Sequence, residues 1–230
     1  MKKLFFAVFI FCSTIASAQF TESLSSDRPG QALSSSVVGK NVFQIQAGID
    51  YFESTSNFYP SSYFRYGLSE RFEFNTGIIF SGNKFADDLE SLTIGARYVL
   101  NSNLEAHLKS SLQFSYDVGA TNKNSQLTYI LGSSFSEKLS YTVNLGINFD
   151  NDFGVNNGIY IFNFSYAFND KTGVFLEPFG TFLKNSFQFN LDAGVYYLVN
   201  NNFQLDFLIG ESDGFFTGAG ITWRIPSKNN

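Results

Sequence analysis

Charged side chains make up only 15% of this 230-residue sequence, and several stand alone inside otherwise apolar runs. In FQLDFLIG, Phe203 to Gly210, the lone charge is Asp206. Burying an unpaired charge costs several kcal/mol or more, so such groups must face water, a partner or a polar interior. The residues in this position are Arg65, Glu73, Arg97, His107, Lys109, Glu177, Asp192, Asp206 and Arg224, with Gln204 beside Asp206. Nucleophilic chemistry on a lipid ester would need a serine close to the only histidine, His107, at the lipid interface. His107 shares its parity with Lys109, Ser111 and Gln113, whereas Ser110 points the other way with Leu108 and Leu112, so no enzyme is expected. The only cysteine, Cys12, lies in a leader, and a single histidine offers no transition-metal site. The loop carboxylates Asp87, Asp88, Asp150 and Asp152 are of the type that takes calcium or ions bridging lipopolysaccharide, or are simply solvated. No cofactor or metal is called for. What remains is electrostatic: charges lining a passage.

The elements that would position them read as strands. Leu139 to Asp150, LSYTVNLGINFD, alternates apolar and polar residues over its whole length, a period of two that marks a half-buried strand. Segments of this kind are expected at 41–53, 58–68, 72–80, 90–100, 104–116, 126–135, 139–150, 158–168, 172–182, 187–198, 203–211 and 215–225. No helical period is sustained anywhere. Every second junction is a short polar turn, as in Ser69-Glu70-Arg71, Ser136-Glu137-Lys138 and Asn169-Asp170-Lys171, and the others are mostly longer. Short periplasmic turns alternating with longer outside loops, and an even strand number, are features of an outer-membrane barrel.

The N-terminus and composition agree. MKKLFFAVFIFCSTIASA has a basic start, an apolar stretch and a small-residue cleavage pattern, so residues 1–18 read as a secretory signal peptide; Phe11 before Cys12 argues against a lipoprotein signal. The rest carries 13 basic against 20 acidic side chains, a formal charge of −7, which gives no reason to expect nucleic acid. The expected organisation is the signal peptide at 1–18, a periplasmic N-terminal segment or hatch at 19–40, a closed antiparallel transmembrane β-barrel of 12 strands at 41–226, and a tail at 227–230. The partners implied are outer-membrane lipid and lipopolysaccharide, the barrel-assembly machinery and a small solute. Aromatics fall at two levels of the apolar faces: Tyr66, Phe72, Tyr98, Phe135, Tyr141, Tyr166, Phe168, Tyr197, Phe203 and Trp223 near the short turns, and Tyr51, Phe80, Tyr116, Phe149, Tyr160 and Phe187 near the long loops. These are the girdles of a bilayer-spanning barrel. A soluble β-sandwich also alternates, but the polar faces here favour Gly, Ser, Thr, Asn and Gln over charge, as a narrow barrel interior does.

Four stretches carry a family resemblance: Asp27-Arg28-Pro29-Gly30, VVGKNVFQIQAGIDY from Val37, YGLSERFEFNTG from Tyr66, and LDAGVYYLVNNNFQLD from Leu191. In these the sequence resembles the outer-membrane transporter family named for the MetA pathway of phenol degradation. The resemblance implies an outer-membrane barrel of a Gram-negative bacterium and a transport role without a defined substrate. Two departures stand out: the Pro-Thr-Gly often found at the end of a central strand is replaced near Asp117-Val118-Gly119-Ala120, and the chain ends WRIPSKNN.

In a ring of twelve, the fourth and fifth strands lie across from the tenth and eleventh. Arg97, His107 and Lys109 are therefore expected to oppose Asp192 and Asp206 as a transverse field across a polar pore, or to form internal salt bridges that fill a closed barrel. Pro178 suggests a bulge beside Glu177; if parity holds, Phe175 and Phe179 flank Glu177 in the lumen and suit an aromatic or hydrophobic solute. The Ser-rich stretch before the first strand carries Asp27, Arg28 and Pro29, a turn signal that would serve a hatch in the periplasmic mouth. A disordered periplasmic tail is the plainer expectation.

Overall fold

The computed structural model describes residues 23–82, 88–101, 103, 106–118, 124–183 and 185–225. The signal peptide, the C-terminal tail and Asp87 lie outside them. The strands are β1 (Phe43–Phe52), β2 (Asn57–Gly67), β3 (Phe72–Ser81), β4 (Asp88–Val99), β5 (Lys109–Asp117), β6 (Ser125–Ser134), β7 (Leu139–Phe149), β8 (Val155–Ala167), β9 (Thr172–Leu183), β10 (Ser186–Phe187), β11 (Asn190–Asn200), β12 (Phe203–Glu211) and β13 (Phe215–Ile225). Strand β10 is a two-residue return that pairs with the end of β9. The other twelve form one closed antiparallel barrel, in which β1 pairs β13 from Phe43↔Ile225 to Phe52↔Phe216 and β8 pairs β9. Closure leaves no edge, which is what a sheet surrounded by hydrocarbon requires.

Burial is inverted relative to a water-soluble protein. Arg65, Glu73, Arg97, Thr128 and Asn144 have no exposed surface, while Phe74, Ile94, Leu145 and Trp223 are about half exposed. An exposed apolar surface of this extent needs lipid to cover it, and a soluble sandwich is ruled out. The girdle near the short turns holds, with Tyr66, Tyr98, Phe135, Tyr166, Phe168, Tyr197 and Trp223 all exposed. Tyr160 departs from the outer girdle: it is buried beneath Phe187, their rings stacked at 5.2 Å.

Two strand expectations are corrected. The fifth strand begins at Lys109 rather than at 104, so His107 precedes it. Pro178 produces no bulge: pairing of β9 with β11 runs without a slip from Asn190↔Phe179 to Tyr197↔Thr172. On the other side the β8 ladder skips Phe162 and Asn163 but resumes in the same register. The missing proline donor removes a rung and leaves parity intact, so Phe175, Glu177 and Phe179 face the lumen.

Candidate functional site

The lumen is occupied by the chain itself. Residues 23–41 enter at the short-turn rim, where Leu24 N donates to Asn201 O at 2.9 Å, and rejoin the wall where Asn41 N donates to Gly67 O at 2.8 Å. Between these points the backbone has no ladder to join, so lumenal side chains must satisfy it. Glu177 accepts from the amides of Gln31 and Ala32. Asn144 accepts from Leu33 N at 2.7 Å and donates back to Leu33 O at 3.1 Å. Glu73 accepts from Val38 N at 2.9 Å. Arg65 donates to the carbonyls of Ser25 and Ser36, and Arg97 to those of Ser34 and Ser36. The expectation of a free periplasmic tail fails for residues 23–41, because their polar backbone finds partners on strands all around the barrel.

Asp27 and Arg28 are adjacent and oppositely charged, and they reach opposite walls. Asp27 bonds Arg97 at 2.9 Å and lies 3.5 Å from Arg65; both guanidiniums also contact Glu73, at 3.7 and 2.9 Å. Burial alone would raise the Asp27 carboxyl, but the charges of Arg65 and Arg97 outweigh it and hold the group below the usual carboxylate range. Arg28 reaches Asp206 at 3.2 Å and Asp50 at 3.9 Å. Its guanidinium lies flat over Gly48 and Gly220, where a Cβ on either would collide with it. Gln204 donates to Arg28 O at 3.0 Å. After Pro29, Gly30 turns with φ of +93° against Phe175 and Glu177, a left-handed conformation that glycine adopts without steric cost.

Acids and bases thus sort to opposite walls, but not as the ring count alone suggests. Arg97 is matched by Asp27 and Glu73, and Asp206 by Arg28, so the segment supplies counter-charge to both sides. His107 is exposed at the short-turn mouth, where with Lys109, Glu137, Lys138 and Asp170 it lines a cavity of about 690 Å³; it does not oppose Asp192. Arg224 closes the same rim, donating to Asn202 Oδ1 at 2.8 Å. On the loop side two chambers of about 320 and 310 Å³ flank the segment, one against Tyr63 and Gln113 and one against Asn144 and Phe179. Arg28 and Leu33 line cavities on both sides, so the segment forms the partition.

A family model described as "Putative MetA-pathway of phenol degradation" matches residues 26–225. The chain belongs to that family. The match begins at Ser26 and so takes in the Asp27-Arg28 pair as well as the barrel. No protein of curated function matches. Among solved structures, the KdgM porin superposes with a TM-score of 0.63 at 13% identity, covering 78% of this chain and 98% of the porin. The NanC porin gives 0.63 at 7%, covering 79% and 100%. The Acinetobacter baumannii outer membrane protein Omp33 gives 0.54 at 12%, covering 81% and 99%. At these identities the likeness is one of fold, and it makes this family member an outer-membrane, porin-like barrel.

The alternative chemistries find little in the geometry. Ser110 is engaged with Asn101 Oδ1 at 3.2 Å, and among the described residues no serine bonds His107. Asp150 caps its own loop, accepting from the amides of Asp152 and Gly154. Among the described residues no three His, Cys, Asp or Glu side chains gather as metal ligands do. The sequence reading passed over three lumenal features. Asp50 is on the polar parity of β1 but near a loop end. Tyr63 lies inside on the Arg65 parity. Phe52 and Phe216 stack in the lumen at 5.0 Å, where a membrane barrel is expected to be polar.

Proposed function

We propose that this barrel is a channel for small solutes, closed by residues 23–41 acting as a hatch, and that solutes with an aromatic or hydrophobic body pass best. The observation that carries this reading is the Asp27-Arg28 pair, seated between oppositely charged walls by side-chain contacts that can be broken and remade. A lumen that accommodates folded backbone is wide enough for a small molecule once that backbone moves. The chamber beside Phe179 and the inward Phe175 supply apolar surface for the solute body, and the family's association with phenol degradation points to the same class. Charged linings of this kind orient dipolar or ionic solutes.

The test compares the mature chain with a variant lacking residues 23–40, both reconstituted in planar bilayers and liposomes. The variant is expected to conduct more than the parent, and liposomes carrying it to take up phenyl glucoside faster than glucose. Absence of conductance and uptake in both proteins would sink the channel and favour the second reading, a structural or adhesive barrel. The filling of the lumen by the segment is the observation on that side.

A further inference from the structure

On the wall formed by β9, β11, β12, β13 and β1, lumenal charge does not balance. Asp50, Glu177, Asp192 and Asp206 all turn inward there against two cations: Arg224 on β13, held at the short-turn rim by Asn202 and the Asn201 carbonyl, and Arg28, which among the described residues is the one that pairs with these acids, bonding Asp206 and Asp50. Glu177 and Asp192 occupy directly paired positions on β9 and β11, an arrangement that destabilises a sheet when both groups are charged. Their surroundings differ sharply. Glu177 accepts three hydrogen bonds, from Gln31 N, Ala32 N and Asn163 Nδ2. Asp192 is 1% exposed, yet neither of its carboxylate oxygens has a hydrogen-bond partner. The Gln31 side chain lies beside it without a hydrogen bond of acceptable geometry. A buried carboxylate with both oxygens unanswered is a group waiting for a partner.

Aromatic rings occupy the neighbouring lumenal positions. Phe175 pairs with Gly194, two residues along β11 from Asp192, and Phe179 pairs with Asn190 on its other side. A Cβ placed at Gly210, opposite Asp192 on β12, would meet both the Phe216 ring and the Asp192 Cβ, so these two meet above a glycine. Phe179 and Phe216 are 6.4 Å apart, edge to face. Gln31, Phe179 and Asn190 line the chamber of about 310 Å³, at the lower end of ligand-pocket size; Asp192, one lumenal position along β11 from Asn190, is buried beside that lining and is not itself part of it.

A carboxylate that lacks donors and ring faces that lack a cation are the two halves of one recognition site. We infer that the lumen binds a small organic ammonium at Asp192, with Glu177 adding charge and Phe175, Phe179 and Phe216 receiving the cation and its apolar body. A primary ammonium brings three donors and one positive charge, and aromatic faces attract it as they do lysine. The site does not have the three-ligand geometry of a chelated divalent ion. This deepens the channel reading by naming its solute class, and it rests on solute reaching the lumen from the loop side.

The experiment is calorimetric titration of the refolded mature barrel in detergent with 2-phenylethylammonium, its neutral analogue 2-phenylethanol and the anion phenylacetate. The ammonium is expected to bind most tightly and phenylacetate not at all. Asp192→Asn, which keeps shape and removes charge, should weaken the ammonium on the order of 10- to 100-fold and leave the alcohol unchanged. Phe216→Leu, which keeps an apolar side chain in place, should weaken the ammonium by about 2- to 30-fold; heat-modifiable gel mobility establishes that each variant is folded. Equal binding of ammonium and alcohol, undiminished binding to folded Asp192→Asn, or no binding by the parent would overturn the inference. Because binding is read without conductance, binding in a non-conducting barrel refutes the channel alone, and conductance without binding refutes the site alone.

Discussion

Replacing Asp27 by asparagine should unlatch the segment without unfolding the barrel. Asp27 is the only acid between residues 23 and 41, and it answers two buried guanidiniums, Arg97 at 2.9 Å and Arg65 at 3.5 Å. An asparagine keeps the side-chain oxygen that accepts from Ser34 N and removes only the charge. Arg65 and Arg97 would then share Glu73 alone, a buried cluster with one positive charge in excess. Stripping one partner from a buried ion pair costs about 3–5 kcal/mol. The open state escapes that penalty, because water entering the lumen solvates the arginines. At about 1.4 kcal/mol per tenfold change, the closed-to-open ratio should fall by roughly two to three and a half decades.

Amide hydrogen exchange reads that ratio directly where exchange requires local opening. The informative amides are Ala32, Leu33 and Val38, which donate to Glu177, Asn144 and Glu73 across the lumen. In folded Asp27→Asn barrel their exchange should accelerate by about a hundredfold or more, while amides in the β1 and β13 ladder stay protected. Unchanged protection at these three amides would refute the argument that the Asp27 charge holds the segment.

Three further outcomes follow from the same contacts. The Asp27 carboxyl is held below its ordinary value, and a group of this kind stabilises the closed state fully above its unperturbed pKa, near 3.9, losing that contribution as pH falls through the depressed value; exchange at Leu33, whose acceptor Asn144 does not titrate, should, once corrected for intrinsic rates, be flat from pH 8 to 5 and rise only under more acidic conditions. Gly220→Ala places a methyl where the Arg28 guanidinium lies, so the barrel should remain folded by gel mobility while residues 26–32 lose protection; full protection would contradict the seating of Arg28. Leu145, 46% exposed on the lipid face of β7, should tolerate arginine poorly, with urea unfolding from vesicles showing a loss of about 2–4 kcal/mol and a far smaller loss for the same change at exposed Phe153 in the outer loop.

The barrel was legible because its signal is local. In LSYTVNLGINFD each residue declares its face by type, and twelve such segments joined by alternating short and long turns leave few other closed arrangements. Lumenal parity survived at Glu177, where the proline removed one rung without shifting the register. What the periodicity could not carry was the path of residues 23–41, since their bonds run to side chains on strands distant in sequence and follow no repeat. The two-wall charge pattern was the nearest available signal. Arginines on β2 and β4 and acids on β11 and β12 define a field across the lumen, and Asp27 beside Arg28 is the adjacent opposite pair that can span it, their Cα atoms about 3.8 Å apart and their side chains diverging. A ring count compared wall with wall and left both short of counter-charge in a low-dielectric interior. That deficit is itself the clue, because a narrow barrel cannot keep Arg65 and Arg97 fully buried with Glu73 as their only acid. The same reasoning applies to what remains unmatched. Among the described residues Asp192 has no counter-charge from wall or segment, so the charge deficit that the N-terminal segment fills on the arginine side is open, on the acidic side, to a cation from outside the chain.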